Sequence, residues 1–364
     1  MSSLDWVAIG ERVRESRLAM RLSQEQLAER IGLDRTMVSK IEAGGRRLDA
    51  LELVRVASAL DLPIAHFISA PPAVMSHRAP LAEDTTTDAA QASYRIDAAL
   101  ASWIRDIRLL VSLGTLRPNP IKRYPDRVDG RAAAVAAARW LRDELGLGSR
   151  PIESLVDLCE QSGQYLLLTD LPGDGASAVD GDVAAAVISV SGDPGRRRAT
   201  AAHELGHLIL GDEYSSDLGV SASREDREAV VNVFAAELLL PVAAISRAWV
   251  ERGPCRSTLI RLAAEHRTSW SLALRQATTA EAIGKAEETK LRACPPTYAE
   301  FRDALGWTPQ PDLDSIRVPP GFAHAVMLAY RDHHITSRRA VELMHGQLNN
   351  ETDLPPSGDE DDAP

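Results

Sequence analysis

Cysteine is scarce in this chain of 364 residues. The three cysteines, Cys159, Cys255 and Cys294, lie far apart in the sequence and form no Cys-x-x-Cys pair. These features exclude a disulfide framework and a zinc site made of thiolates. Any metal ion must therefore be bound by histidine and carboxylate side chains.

Long hydrophobic runs are also missing. The mainly apolar stretch from Val183 to Val190 is far shorter than the roughly 20 residues that a helix needs to cross a bilayer. The N-terminus mixes charged and apolar residues and does not have the pattern of a signal peptide. We therefore expect a cytoplasmic protein without a membrane partner, whose 45% hydrophobic residues fill the cores of two or three domains.

The chain has no excess of positive charge. Its formal net charge of −11 argues against binding nucleic acid over the whole surface, although a local basic face remains compatible with DNA binding. Part of the negative charge lies in the run from Asp359 to Asp362. We expect the acidic tail, residues 351–364, to be disordered.

A histidine motif stands out among the features that are present. Residues 203–207 read His-Glu-Leu-Gly-His, and on a helix both imidazoles project from one face with a carboxylate beside them. Apolar residues flank the motif, and Gly211 is placed to cap the end of the helix. The pattern predicts that His203 and His207 bind one zinc ion per chain and that Glu204 is the general base that activates water.

A catalytic zinc ion needs a third protein ligand. The metzincin pattern would place glycine and histidine where this chain has Leu210 and Glu213, so that class is excluded. A carboxylate from the next helix is the usual alternative. The helix-like stretch from Glu225 to Leu240 offers Glu225, Glu228 and Glu237.

Residues 6–68 carry a dense pattern of short helices. Ser23 precedes a predicted helix from Gln24 to Ile31 in a capping-box pattern, and that helix stops at Gly32. A second short helix follows over residues 34–42. Two short helices joined by a tight turn with glycine are typical of the helix-turn-helix, whose second helix enters the major groove of DNA.

Two segments of this region carry a family resemblance. Residues 22–28, Leu-Ser-Gln-Glu-Gln-Leu-Ala, and 38–44, Val-Ser-Lys-Ile-Glu-Ala-Gly, resemble the Cro/C1-type (XRE) helix-turn-helix family. The resemblance implies a double-stranded DNA operator as partner and a homodimer to give useful affinity. It also implies a set of DNA-binding residues, with Gln24 and Arg46 near phosphates and four others facing the grooves: Arg35, Thr36, Ser39 and Lys40.

The central region has a second resemblance. Two helices, over residues 131–145 and 152–161, precede two predicted strands, over 165–168 and 184–190, which flank a turn rich in glycine and aspartate. Together with the stretch around the histidine motif and the segment Asn232-Val233-Phe234-Ala235-Ala236, they resemble the ImmA/IrrE family of metallo-endopeptidases over roughly residues 125–280.

That resemblance implies the third metal ligand. It is a glutamate near the start of the helix with Asn-x-Phe-Ala-Ala, which maps onto Glu228, with Glu225 in reserve. Glu237 is disfavoured because it lies on the run that packs toward Pro241. Asp212 is a candidate for a hydrogen bond to a ligand histidine.

The expected fold is α+β and mostly helical, in several parts. An all-α helix-turn-helix domain (6–68) is followed by a linker rich in proline, alanine and threonine (69–93) and by a helix (94–118) that either packs in the core or forms a dimer. A zincin-like α+β domain with a small sheet (119–250) comes next. The predicted C-terminal parts are a helix-turn-helix-like extension (251–285), a helical region of open role (295–350) and the acidic tail.

The leading hypothesis for function is a DNA-binding transcriptional regulator with a zinc endopeptidase domain. By the habit of the family, its substrate is a helix-turn-helix repressor, or the chain itself cut within the linker, in stress response or mobile elements. Two alternatives stay open. One is a non-proteolytic transcription factor whose peptidase-like domain is a sensor or scaffold, and the other is a component of a toxin-antitoxin or phage-defence locus.

Overall fold

The computed structural model describes residues 5–69, 74–77, 88–211, 221–306 and 312–355. Its first part is a bundle of five helices. These are α1 (Trp6–Ala19), α2 (Gln24–Ile31), α3 (Arg35–Glu42), α4 (Ala50–Leu60) and α5 (Ile64–Ile68). We call this bundle the head. The capping box at Ser23 is confirmed, because its hydroxyl accepts from the Gln26 amide while the Gln26 side chain accepts from the Ser23 amide.

A close approach between α1 and α3 holds the head together. A Cβ on Gly10 would lie 2.2 Å from the carbonyl oxygen of Ile41, so only glycine lets the two helices pack at this distance. A buried ion pair between Arg17 and Glu42 joins the same helices, with Nε and Oε1 separated by 2.5 Å. The second helix of the helix-turn-helix, α3, is therefore held rigidly with one face outward.

The described residues after the head form the body, which is built on one sheet. Its strands are β1 (Val74–His77), β2 (Gln164–Thr169), β3 (Gly175–Asp180) and β4 (Val183–Ser189). They lie in the order β1-β3-β4-β2, in which β2 runs parallel to β4 and the other neighbours are antiparallel.

Helices cover the sheet on both sides. The first group in chain order is α6 (Asp88–Ser112), α7 (Arg131–Glu144), α8 (Leu155–Gln161), α9 (Pro194–Leu210), α10 (Ser221–Leu239) and α11 (Val242–Arg252). The second group is α12 (Arg256–Glu265), α13 (Trp270–Thr279), α14 (Lys285–Arg292), α15 (Tyr298–Leu305), α16 (Pro320–Arg331) and α17 (Ser337–Leu343), followed by a 3-10 turn at Glu351–Asp353.

The side chains of the sheet alternate between two cores, as the period of a strand requires. Leu166 and Leu168 point into a core with α7 to α13. Tyr165 and Leu167 point into a second core with α6, α16 and α17. All seven residues of β4 are buried, because it is an inner strand covered on both faces.

Strand β3 is not predicted by its sequence, because the pattern of these residues indicates a turn rich in glycine and aspartate. The strand reads Gly-Ala-Ser-Ala-Val-Asp and has little intrinsic preference for a strand. Small residues are needed here, since a Cβ on Gly175 would lie 2.5 Å from Cδ1 of Ile188 and 3.1 Å from Cγ2 of Thr200. The packing of α9 on the sheet therefore selects the composition of this strand.

Two elements lie within the stretch that the sequence predicts to be a linker, residues 69–93. Strand β1 pairs with β3 at the edge of the sheet, and α6 already begins at Asp88. Backbone pairing explains the strand, because an edge strand needs little hydrophobic content once a partner offers its free hydrogen-bonding groups.

Helix α6 belongs to the core and connects the head to the body. Toward its start, the Tyr94 hydroxyl lies 2.8 Å from both Ser16 Oγ and His66 Nε2 in the head. Further along, Trp103 is fully buried and donates from Nε1 to the carbonyl of Tyr165 at 2.9 Å. Of the two roles predicted for this helix, the structure shows core packing.

The C-terminal helices α16 and α17, whose role the sequence leaves open, complete the same core. The rings of Phe322 and Trp103 have centroids 4.4 Å apart. Asp106 on α6 accepts hydrogen bonds from Arg339 at 2.6 Å and His345 at 3.0 Å. These contacts make the C-terminal region a structural part of the body.

No single helix in the described ranges has the length and hydropathy needed to span a bilayer. The pair Asp226–Leu239 and Val242–Arg252 reaches that length and composition only when joined across a bend of 43°.

The helix of the metal motif is anchored by a buried ion pair. Arg198 on α9 is fully buried, pairs with Asp312, and donates to the carbonyl of Ile152 at 3.1 Å. Asp312 also accepts from the amide of Leu155 at 3.2 Å, so α8 and α9 are tied to one carboxylate. The start of α9 is thereby fixed against the body.

We expect Arg198→Met to lower the free energy of unfolding by about 3 to 5 kcal/mol, because the substitution leaves the buried Asp312 carboxylate without its countercharge. Urea denaturation followed by circular dichroism measures the change. Arg196→Met is the matched control, since Arg196 pairs with Asp174 near the surface and its loss costs about 1 kcal/mol or less. Equal effects of the two substitutions would contradict this account.

Candidate metal centre

The histidine motif lies in the middle of a well-capped helix. At the start of α9, Asp193 accepts from the amide of Arg196 at 3.1 Å, and Pro194 occupies the first turn, where its missing N–H costs nothing. At the other end, Gly211 has φ 65° and closes the helix, as predicted. Both ends of α9 are therefore capped, and the motif lies one to two turns before the C-terminal end of the helix.

Helix α10 packs unusually close to the motif. A Cβ on Gly206 would lie 2.9 Å from Cγ1 of Val231 and 3.0 Å from Cδ1 of Phe234. The glycine between Leu205 and His207 therefore lets the two helices approach each other. This approach brings the carboxylate of Glu228, near the start of α10, over the histidines of α9.

Three side chains converge on one point. His203 Nε2 lies 3.1 Å from His207 Nε2 and 3.1 Å from Glu228 Oε2, and His207 Nε2 lies 4.0 Å from Glu228 Oε1. All three ligand atoms are within 4.8 Å of one another. Ligand atoms about 2.1 Å from a tetrahedral zinc ion are roughly 3.3 Å apart, so the donor set fits a single ion.

A fourth residue orients one of the imidazoles. Asn232, one turn after Glu228 on α10, has its Oδ1 3.2 Å from His203 Nδ1. The amide oxygen can accept only from a protonated Nδ1, which leaves the lone pair of the imidazole on Nε2. Nε2 is the atom that faces His207 and Glu228, so this contact favours the tautomer that binds a metal.

The carboxylate of Glu204 is fully buried beside the histidines. Its Oε2 accepts a hydrogen bond from the Ser177 hydroxyl of β3 at 2.7 Å. Its Oε1 is also buried and has no hydrogen-bond partner among the described residues. A buried carboxylate with one oxygen held and the other available suits proton transfer to or from a bound molecule.

The remaining glutamates of α10 do not join this group. Glu237 is buried elsewhere, where it accepts from Arg139 at 2.9 Å and from the amide of Val242 at 3.1 Å, in keeping with its predicted packing toward Pro241. The side chain of Glu225, the reserve ligand, and the whole of Asp212, the candidate partner of a ligand histidine, lie outside the described part of the chain.

Two other histidines pack inside the fold away from this cluster, His66 half-buried and His266 buried. His66 lies in the head against Tyr94, and His266 has its Nδ1 3.0 Å from the carbonyl of Leu239. Burial lowers the pKa of each imidazole to about 4, so both stay neutral at physiological pH. Neither lies in the cluster with His203.

The head presents the outward face of α3 to solvent. The predicted groove-facing residues Arg35, Thr36, Ser39 and Lys40 are all exposed. Exposed basic and hydroxyl side chains on one short helix can reach base edges or phosphates.

The two predicted phosphate contacts are partly engaged within the head. Gln24 donates from Nε2 to Glu42 at 2.8 Å. Arg46 forms a two-pronged pair with Glu52, at 2.6 and 2.9 Å, and this hydrogen bonding raises the pKa of Arg46. A phosphate contact from Arg46 would have to share the guanidinium with Glu52.

The sequence analysis missed Asn232 and Ser177 as site residues. Asn232 had a signal, because it follows Glu228 by four positions and so lies on the same helix face. Ser177 had none. Its strand was not predicted, and only the stacking of α9 on β3 brings its hydroxyl to Glu204.

Comparisons with known families match two regions of the chain. Residues 13–67 match the helix-turn-helix model, and residues 159–278 match the model of the IrrE N-terminal-like domain. The first region covers the head from the middle of α1 into α5, and the second contains the metal cluster.

Two similar individual proteins each match 17% of the chain. A protein of Rhodospirillum rubrum, described as an uncharacterized transcriptional regulator in the ATPase CF(0) region, is 44% identical over 61 residues. This match covers 17% of the chain and 56% of the relative, so the chain spans about half the length of that protein.

Among solved structures, the restriction-modification controller protein C.AhdI from Aeromonas hydrophila is 40% identical. The match covers 17% of this chain and 96% of that one, with a TM-score of 0.17. By the matches to the two family models, residues 13–67 are of the XRE helix-turn-helix type and residues 159–278 are IrrE/ImmA-like, as the sequence predicts.

Proposed function

We propose that the protein is a DNA-binding transcriptional regulator whose body is a zinc-dependent endopeptidase. The observation that carries the proposal is the convergence of His203, His207 and Glu228 beside the buried carboxylate of Glu204. Two imidazoles and one carboxylate are the protein ligands of a catalytic zinc site with an open position, whereas structural zinc sites use four protein ligands.

The ligand set fits a zinc ion in chemistry as well as in spacing. Neutral imidazole nitrogens and a carboxylate oxygen are typical zinc ligands, and Asn232 supports the tautomer of His203 that leaves Nε2 available. When bound, zinc would supply a Lewis acid that polarises a peptide carbonyl and makes water more acidic.

Glu204 acts as the general base in this proposal. Ser177 holds Oε2, and Oε1 is the oxygen that takes a proton from the attacking water. The same carboxyl group then returns the proton to the amine that leaves when the peptide bond breaks. Burial of the carboxylate excludes bulk water from this transfer.

The head binds double-stranded DNA in the proposal. Arg35, Thr36, Ser39 and Lys40 face the major groove, while Gln24 and Arg46 lie toward the backbone phosphates. A homodimer reads two half-sites, which provides the affinity that one short helix lacks. Because it acts on DNA, we expect the protein to be in the cytoplasm.

A helix-turn-helix repressor, or this chain itself, is the proposed protein substrate. Cutting a repressor between its DNA-binding part and the rest weakens DNA binding and releases the controlled genes. Fusion of both domains in one chain supports this pairing, because the head brings the body to the DNA on which such a repressor is bound.

A second function is favoured by the packing of helix α6. Helix α6 packs against both the head, through Tyr94, and the sheet, through Trp103. A ligand or metal bound in the body could therefore shift the head without any cleavage. In this alternative the protein is a non-proteolytic transcription factor with a sensor domain.

We expect one zinc ion to bind per chain, and His203→Ala, His207→Ala or Glu228→Gln to weaken binding by more than about 100-fold, because each removes a direct ligand. Asn232→Ala removes only the orienting contact and should cost about 10- to 100-fold. Titration against a zinc-chelating dye measures the affinity. Asp226→Asn, an exposed neighbour on α10, is the control, and an equal loss in this variant would refute the site.

We expect Glu204→Gln to keep the zinc affinity and the fold but to lower the rate of peptide cleavage by about 10²- to 10⁴-fold, because the amide cannot accept the proton. The zinc-loaded chain is incubated with a proteome-derived peptide library, and new termini are counted by mass spectrometry. The purified chain alone tests for self-cleavage. If the wild-type chain with bound zinc cleaves neither the peptide library nor itself, the sensor alternative is correct.

We expect Arg35→Ala combined with Lys40→Ala to weaken binding to a random-sequence DNA duplex and to reduce the salt dependence of log K by up to about 2, because on DNA without a specific site these groove-facing cations neutralise nearby phosphates and each lost charge releases about one counterion fewer. Fluorescence anisotropy at several salt concentrations gives the slope. Arg131→Ala, an exposed arginine on α7, is the control. An unchanged slope in the double variant would place the DNA contacts elsewhere.

A further inference from the structure

One edge of the sheet, beside the strand that carries Ser177, is occupied by a short segment of the same chain. Strand β1 pairs antiparallel with β3, with Val74 opposite Ala178, Ser76 opposite Ser177 and His77 opposite Ala176. This segment comes from the stretch between α5 of the head and α6. It is therefore an addition to the sheet made by β2, β3 and β4.

The pairing brings β1 close to the proposed catalytic base. Opposite residues of antiparallel strands have Cα atoms about 4.5 to 5.5 Å apart. Ser76 thus lies one strand spacing from Ser177, whose hydroxyl donates to Glu204 at 2.7 Å. Residues of α9 also have Cα atoms within 8 Å of Cα atoms in β1. Any chain that pairs with β3 at this register passes beside Glu204.

The pairing of β1 is weak by construction. The strand has only four residues, and its register with β3 shifts between Val74 and Ser76. Pro72 and Pro80 flank it in the sequence, and proline cannot continue a ladder of backbone hydrogen bonds. A longer extended segment without these breaks would make more hydrogen bonds along the six residues of β3.

Resting on the proposed function, we propose that the outer edge of β3 is the docking site for an extended segment of the substrate protein, and that Val74–His77 is a resident strand which that segment displaces. The partner pairs antiparallel with β3 through backbone hydrogen bonds, as in other cases of strand addition to a free sheet edge. The site of peptide cleavage is then closed to extended substrates as long as β1 remains in place.

The resident strand competes as an intramolecular ligand. A short tether gives an effective concentration on the order of 1 mM, so a resident strand whose own dissociation constant for the edge is about 0.1 mM weakens the binding of an outside peptide roughly tenfold relative to a free edge. A weakly bound, tethered strand of this kind is displaced by a segment that pairs better with β3 but excludes random unfolded chains.

The test uses the full-length chain with Glu204→Gln, so that bound peptide is not cut. Ser76→Pro removes a backbone N–H from β1 and should free the edge, whereas Ser76→Ala keeps the N–H and serves as the matched control. The probe is a fluorescein-labelled peptide that copies residues 72–79, with a scrambled version for comparison. Binding is measured by fluorescence anisotropy with zinc and without it.

We expect the peptide to bind the Ser76→Pro variant about tenfold more tightly than the parent and the Ser76→Ala variant. Hydrogen exchange should rise at the amides of Gly175–Asp180 in the proline variant and fall again when the peptide is added. Equal peptide affinity in all three proteins, or unchanged exchange in β3 of the proline variant, would overturn the proposal.

A measurement without any change in β1 covers the case in which the proline variant folds poorly. Unlabelled peptide at millimolar concentration, added to the parent chain, should increase exchange at Val74–His77 while β3 stays protected. Unchanged protection of β1 would also overturn the proposal. Failure of zinc binding or cleavage would instead contradict the proposed function, because neither readout of the strand exchange requires metal or catalysis.

Discussion

The close contact between α9 and α10 at Gly206 is the constraint on which the candidate site depends. A side chain at this position would collide with Val231 and Phe234 and push the two helices apart. Glu228 and Asn232 lie on the face of α10 that this contact turns toward His203. One missing methyl group therefore decides whether a histidine pair on one helix becomes a three-ligand cluster. The buried pair of Arg198 and Asp312 fixes the other end of the same helix.

Helix α6 and strand β1 connect the head to the body through side-chain packing and strand pairing. The first packs on the head and on the sheet, and the second inserts into the sheet from the stretch that leaves the head. Helix α6 contacts α1 and α5 of the head, and β1 pairs with the strand that carries Ser177. A change in the head therefore has a structural route to the body, which suits the proposed coupling of DNA binding to events at the metal cluster.

The hydrogen bond from the Ser177 hydroxyl to Glu204 links the sheet edge to the proposed catalytic base. It holds one carboxylate oxygen and leaves Oε1 for proton transfer. Because Ser177 lies on the strand next to β1, the same residue marks the register at which an added strand would pass the site. Positioning of the base and docking of an extended chain thus share one strand.

Local signals in the sequence determined the helices of the head, the capping of α2 and α9, and the pair of histidines with its neighbouring glutamate, because periodicity, caps and motif spacing act within one or two helical turns. Family resemblance located Glu228. Tertiary structure alone decided that Gly-Ala-Ser-Ala-Val-Asp forms a strand, that the supposed linker supplies β1, that α6 is a core helix and that Ser177 meets Glu204. These features arise from backbone pairing and packing between residues distant in sequence, which leave no periodic trace in the segments themselves.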